Sequence, residues 1–127
     1  DAQTVLAWAL TKTGARRLWI GGFSFGGFVA CRMADLIHGS SVFDDFSLDN
    51  LALIAPSIVR NDASQLSIKA NNTFVIYGDK DELVAPSLLQ QFANERGFDS
   101  TVMPDVGHFF HGKLTDLKNA LAAHTKI

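Results

Sequence analysis

Residues 18–27 read Leu18-Trp19-Ile20-Gly21-Gly22-Phe23-Ser24-Phe25-Gly26-Gly27, and the order of these residue types decides the fold. Leu18 to Phe23 is a short apolar run of the kind that is buried on both faces of a parallel sheet. Phe28, Val29, Met33, Leu36 and Ile37 then recur at helical spacing until Gly39 ends the pattern. A strand therefore runs straight into a helix through Gly-x-Ser-x-Gly, with Ser24 at the apex. A residue at such an apex is held in a strained backbone conformation. Its neighbours two positions away must be small, or their side chains collide across the turn, and Gly22 and Gly26 meet that demand. The N-terminus of the following helix directs partial positive charge at the turn, which suits a developing oxyanion. The amide of Phe25 is the natural first donor to it.

Working outward, Thr4 to Leu10 reads as a helix, with Val5, Trp8 and Ala9 on one stripe and Gly14 as its stop. Downstream, Leu51 to Ala55 reads as a second buried strand closed by Pro56, and Thr73 to Tyr77 as a third, rich in β-branched and aromatic residues. Pro86 suits a first helical turn, and Leu88, Leu89, Phe92 and Ala93 carry that helix to Gly97. Ser100 to Met103 is a fourth, weaker strand, and Leu114, Leu117 and Leu121 mark a last amphipathic helix. Between Pro56 and Asn72 the one candidate element is a short helix around Ala63 to Ile68. Alternating helices and short buried strands predict an α/β fold, a parallel sheet with helices on both faces in three layers. At 127 residues, without repeat or low-complexity linker, the chain is expected to form one domain over residues 1–127.

Composition narrows the function. Hydrophobic residues are 47% and charged residues 19%, as in a packed globular protein. A net charge of -2 leaves no electrostatic footprint for nucleic acid or an anionic membrane. Arg16 and Arg17, the only adjacent basic pair, fit a solvated helix-to-strand turn. No apolar stretch approaches the ~20 residues that span a bilayer. No signal peptide is visible, although the chain begins at Asp1 without a methionine, so removal of an upstream segment is allowed for. Cys31 is the single cysteine, which rules out an internal disulfide and makes a reducing, cytoplasmic setting the expectation. Its apolar helical neighbourhood marks it as a small core residue rather than a reactive thiol. His108 and His111 lack the cysteine pair or His-Glu-x-x-His pattern that would make a zinc site, so no metal is expected.

A serine hydroxyl is a weak nucleophile until a base takes its proton, and that base needs a third group to fix its tautomer. In the strand–turn–helix setting the chain order is serine, acid, histidine. Residues 77–86 (YGDKDELVAP) follow the third strand, and residues 105–112 (DVGHFFHG) follow the fourth. Both lie just beyond the carboxyl ends of strands, where open parallel sheets place their sites. Singly, each group has a plainer explanation: an aspartate in such a loop is usually a turn-former or cap, and a histidine beside glycine is usually at the surface. In correct order at strand ends, they point together to nucleophilic catalysis.

The segments GFSFGG, VIYGDKDELVAP and DVGHFFHGKL resemble those of α/β-hydrolases, especially the compact bacterial group near the dienelactone hydrolases and small esterases. The resemblance extends over nearly the whole chain. It implies that Ser24 is the nucleophile and that Asp81, the second aspartate of its loop, is the acid. Asp79 then stabilises the loop through backbone hydrogen bonds. It implies His108, after Gly107, as the base, while His111 hydrogen-bonds nearby or lines the pocket. His38 and His124, at helix ends, are expected to be solvated or to favour the helix dipole. Dienelactone hydrolases proper use a cysteine; Ser24 points to ordinary ester chemistry.

The same resemblance implies further strands ahead of the nucleophile, so these residues are expected to be the C-terminal part of the fold. The loop that supplies a second oxyanion amide would lie in that earlier part, and losing one such donor costs ~2.7–4 kcal/mol. One edge of LWIGGF is expected to have no partner within the chain, which invites association. A fragment of a longer protein, or a homo-oligomer that completes the sheet, is therefore expected, and a stable monomer on size-exclusion chromatography would contradict that.

The predicted activity is hydrolysis of a small or medium carboxylic ester or thioester through an acyl-enzyme, with no metal or organic cofactor. The connection between the second and third strands is too short for a large lid. Phe23, Phe25, Phe109 and Phe110 are candidates for an apolar acyl pocket, with core packing the role of at least half of them. Two other readings stay open on the sequence: a non-catalytic binding protein on the same scaffold, and a phosphate- or nucleotide-binding domain using the glycine turn. The turn lacks the Gly-x-Gly-x-x-Gly order and the Gly-Lys-Ser/Thr ending of the latter.

Overall fold

Alternation of side chains builds two cores from one sheet. In a strand, successive residues point to opposite faces. Leu18 and Ile20, Leu51 and Leu53, and Val75 and Tyr77 bury one face, while Ala52 and Ile54 and Phe74 and Ile76 bury the other. The computed structural model describes residues 6–12, 17–39, 46–58 and 63–126. Its strands are β1 (Leu6–Lys12), β2 (Arg17–Phe23), β3 (Ser47–Ile54), β4 (Thr73–Gly78) and β5 (Asp99–Met103), and its helices are α1 (Phe25–Gly39), α2 (Pro86–Arg96) and α3 (Leu114–His124). They form a single sheet in the order β1-β2-β3-β4-β5. The pairs from β2 to β5 are parallel.

Each parallel strand is added on the same side of its predecessor. Right-handed crossovers then place the connecting helices on one face. Accordingly α1 and α2 pack on the face of Leu18, Ile20 and Val75, through Ala30, Cys31, Ala34, Leu89 and Ala93. The last helix, α3, covers the opposite face through Leu117, Ala120 and Leu121. Helices thus lie on both faces, in three layers. Cys31 is fully buried, and loss of solvation pushes its thiol up to about 12 against the opposing pull of the Arg96 charge and a backbone hydrogen bond. So high a value leaves almost no thiolate at neutral pH, and the residue is an inert filler.

Three expectations need correction. Leu6–Lys12, which overlaps the Thr4–Leu10 segment expected to be helical, is a strand antiparallel to β2, with Leu6 opposite Phe23 and Lys12 opposite Arg17. Thr4 and Val5 lie outside the described residues. The same pairing overturns the expectation that one edge of β2 lacks a partner within the chain. A short apolar run is compatible with either element by periodicity, and an open apolar edge beside it selects the strand. Third, Ala63–Ile68 is turn and irregular chain rather than helix, although Ala63 and Ile68 are buried.

His124 sits in the last turn of α3, where a basic residue favours the helix dipole, and is half-buried. Its Nε2 lies 2.6 Å from Thr101 Oγ1, and its ring stacks on Phe74 at 4.9 Å. Beside it, buried Asn50 and Asn72 tie down the end of α3. Asn72 Nδ2 donates to His124 O at 2.7 Å, and Asn50 donates to Lys126 O and accepts from Lys126 N. The bond to His124 O satisfies a carbonyl that the helix C-terminus leaves open, and the bonds to Lys126 fasten the chain just beyond it. They hold the end of the sheet opposite to the loops that carry Ser24, Asp81 and His108.

Candidate functional site

Three loops at the carboxyl ends of β2, β4 and β5 meet over the sheet. The first is the turn between β2 and α1. Ser24 has φ 57, in the left-handed region that a side chain occupies at a cost of about 1–3 kcal/mol. The surroundings enforce it. Ser24 N donates to Ile54 O at 2.9 Å, and Ser24 O accepts from Gly27 N and Ser57 N, each at 2.9 Å. Small residues are obligatory here. A Cβ on Gly22 would sit 2.0 Å from Gly26 O, and one on Gly27 would sit 2.8 Å from Pro56 Cβ. A Gly22→Ala substitution meets backbone that cannot yield, and is expected to destabilise the protein by about 3 kcal/mol, read as a lowered urea midpoint. Phe25 begins α1, so its N–H has no carbonyl partner within the helix and is available at the turn.

The second loop follows β4. Asp81 is 7% exposed, and both its carboxylate oxygens are engaged. Oδ1 accepts from Leu83 N at 2.8 Å and Val84 N at 2.7 Å. Oδ2 lies 2.7 Å from His108 Nδ1. Burial of a carboxylate without such donors would be costly; with three, its orientation is fixed.

The third loop follows β5 and carries His108, which is 1% exposed. Its Nε2 lies 2.9 Å from Ser24 Oγ. An ionised carboxylate only accepts, so the proton on the ring belongs to Nδ1. Nε2 is left with a lone pair for the serine hydroxyl. The Phe23 ring lies 5.2 Å from the imidazole and the Phe109 ring meets it edge-on at 4.9 Å. These two rings wall the imidazole on its apolar sides.

The structure therefore brings together Ser24, His108 and Asp81, each named from sequence, in one hydrogen-bonded series. Such a series can move a proton from a hydroxyl to an imidazole while a carboxylate holds the resulting positive charge. Asp79 is not part of it; its Oδ1 accepts from Asp105 N at 2.8 Å. His111 is exposed, with its ring 6.1 Å from Phe109. Of the four phenylalanines, Phe110 is buried in the second core, Phe23 and Phe25 are half-buried, and Phe109 is 37% exposed beside His108. Sequence reasoning missed Ser57, whose amide buttresses the elbow, and Asp105, which sits at φ 59. The signal for Ser57 was Pro56 closing its strand; Asp105 had only the turn-forming habit of aspartate. Among the described residues no cluster of three or more His, Cys, Asp or Glu side chains could hold a metal ion. Nor, among them, is any helix long and apolar enough to cross a membrane.

A scan against protein-family models gave no match, and a search of the curated proteins gave none either. Solved structures do match. One is an α/β serine hydrolase without a lid from Xanthomonas campestris, 35% identical with a TM-score of 0.69, covering 84% of this chain and 45% of that one. Another is an α/β serine hydrolase homologue from Coxiella burnetii, 27% identical with a TM-score of 0.67, covering 83% of this chain and 47% of that one. The chain thus spans less than half the length of either.

Proposed function

We propose that this chain, which belongs to the α/β-hydrolase superfamily, carries the catalytic triad of a serine hydrolase acting on carboxylic esters or thioesters. The observation that carries the reading is the continuous series from Ser24 Oγ through His108 to Asp81, at 2.9 Å and 2.7 Å. Both α/β serine hydrolase relatives support it.

In this reading His108 Nε2 takes the proton of Ser24 as Oγ attacks the substrate carbonyl carbon. The tetrahedral oxyanion is held by the Phe25 amide at the start of α1. His108 then gives its proton to the leaving alcohol or thiol, and an acyl-enzyme ester remains on Ser24. Water, deprotonated by the same nitrogen, attacks that ester and frees the acid. Asp81 stabilises the imidazolium in both half-reactions. A phosphate-cradling role for the glycine turn is disfavoured, because Ser24 Oγ is turned to the imidazole.

The relative from Xanthomonas campestris lacks a lid, and the connection over residues 55–72 here is short. An open site suits small or medium substrates, and Phe23 and Phe109 offer apolar surface for an acyl or alkyl group. The lone buried cysteine fits a reducing, cytoplasmic setting. The test is a panel of nitrophenyl esters and matching thioesters, graded from acetyl to octanoyl. Turnover that persists with a chelator present is expected, best for the shorter acyl groups. Failure to turn over any member, with Ser24 inert to a fluorophosphonate, would return the chain to the binding-scaffold reading.

A further inference from the structure

We infer that Asp79 is a positioning residue, latching the loop that carries His108 to the loop that carries Asp81. The inference rests on the triad reading. His108 belongs to the end of β5, yet it must meet Ser24 at the end of β2, three strand spacings or roughly 14 Å across the sheet. A surface loop reaching that far needs a fixed course to keep an imidazole within hydrogen-bond reach.

The course is set where the two loops touch. Asp79 N donates to Met103 O at 3.1 Å, and Lys80 N donates to Val106 O at 2.9 Å. Between those two carbonyls the chain reverses at Asp105, with φ 59. Aspartate is among the few residues besides glycine that adopt this conformation readily. The Asp79 carboxylate takes the N–H of that same residue at 2.8 Å, which favours the reversal over extended alternatives. Close packing leaves the loops no slack, since a Cβ on Gly78 would lie 2.0 Å from Val106 O. Beyond these backbone bonds, two side chains of the acid loop hold the base loop, Asp79 at Asp105 and Asp81 at His108. Asp79 itself is exposed, so its part is not core packing.

Asp79→Ala removes the side-chain acceptor and leaves the backbone bonds. Asp79→Asn keeps an acceptor oxygen and loses only the charge. Two readouts separate positioning from stability. One is the rate at which a fluorophosphonate labels Ser24. The other is the ¹H NMR resonance of the His108 Nδ1 proton, identified by its loss in His108→Ala, which requires no turnover. Asp79→Ala is expected to slow labelling at least about tenfold and to shift or broaden that resonance, with Asp79→Asn within about twofold of wild type on both. Wild-type labelling and an unchanged resonance in Asp79→Ala would overturn the latch, whatever happens to the thermal midpoint. An unlabelled wild-type protein whose His108 resonance still responds to Asp79→Ala would sink the hydrolase reading and uphold the latch.

Discussion

Ser24→Ala is expected to abolish ester hydrolysis, lowering kcat by about 10⁶-fold, while the protein stays folded. The side chain contributes its hydroxyl to His108 Nε2. What holds the elbow is backbone: Ser24 N to Ile54 O, and Ser24 O to the amides of Gly27 and Ser57. Alanine retains all three bonds and fits beside Gly22 and Gly26 as well as serine does. The stability cost is the buried imidazole nitrogen left without its partner, about 1–3 kcal/mol. His108→Ala is expected to be nearly as damaging to turnover, because hydroxyl and imidazole act as one unit. The double variant should then be little worse than either single one. Steady-state kinetics with a nitrophenyl ester, alongside thermal unfolding, check this. Additive losses would show that the two groups act independently.

The second large effect is expected from Asp81→Asn, a drop in kcat of about 10⁴-fold with little change in stability. Asparagine keeps a carbonyl oxygen to accept from Leu83 N and Val84 N, the two amides that orient Asp81. That choice turns the amide NH₂ toward His108 Nδ1. The ring must then accept at Nδ1 and carry its proton on Nε2, facing Ser24. An imidazole in that tautomer donates to the hydroxyl and cannot take its proton. Asp81→Ala should differ in kind. It strips the two amides of their acceptor, so it is expected to lower the thermal midpoint as well as kcat. An Asp81→Asn enzyme with near wild-type kcat would place the orienting role elsewhere.

Much of this was legible because the relevant signals are local. The runs Leu18–Phe23, Leu51–Ala55 and Thr73–Tyr77 are largely apolar, and apart from half-buried Trp19 and Phe23 their residues are buried. Polar strand residues hid in the sequence: Ser47, Asp49 and Asn50 open β3 ahead of the apolar run that begins at Leu51. They are strand because Leu48 and Asn50 are buried and Asp49 pairs with Arg17 across a register shift. The strand at Leu6–Lys12 was misread for a different reason. Its choice between helix and strand is settled by pairing with the edge of the next strand, β2, which the period within the segment does not encode.

The site divides in the same way. Ser24 stood out by the residues flanking it, since Gly22 and Gly26 are demanded by the turn itself, whereas choosing His108 over His111 needed the family resemblance. So did choosing Asp81 over Asp79, because both are aspartates in one loop. They differ physically in the fold: Asp81 is buried against the imidazole, and Asp79 faces the amide of Asp105. The rings of Phe23 and Phe109 around His108 depend on loops meeting across three strands, which spacing along the chain does not reveal.

The reactivity of one hydroxyl tests the central claim most directly. Peptide mapping after treatment with a fluorophosphonate should find a single adduct, on Ser24, formed rapidly in the wild type. It should be absent from Ser24→Ala and much slower to form in His108→Ala. An adduct on another residue, or labelling of Ser24 at the same rate without His108, would contradict the account.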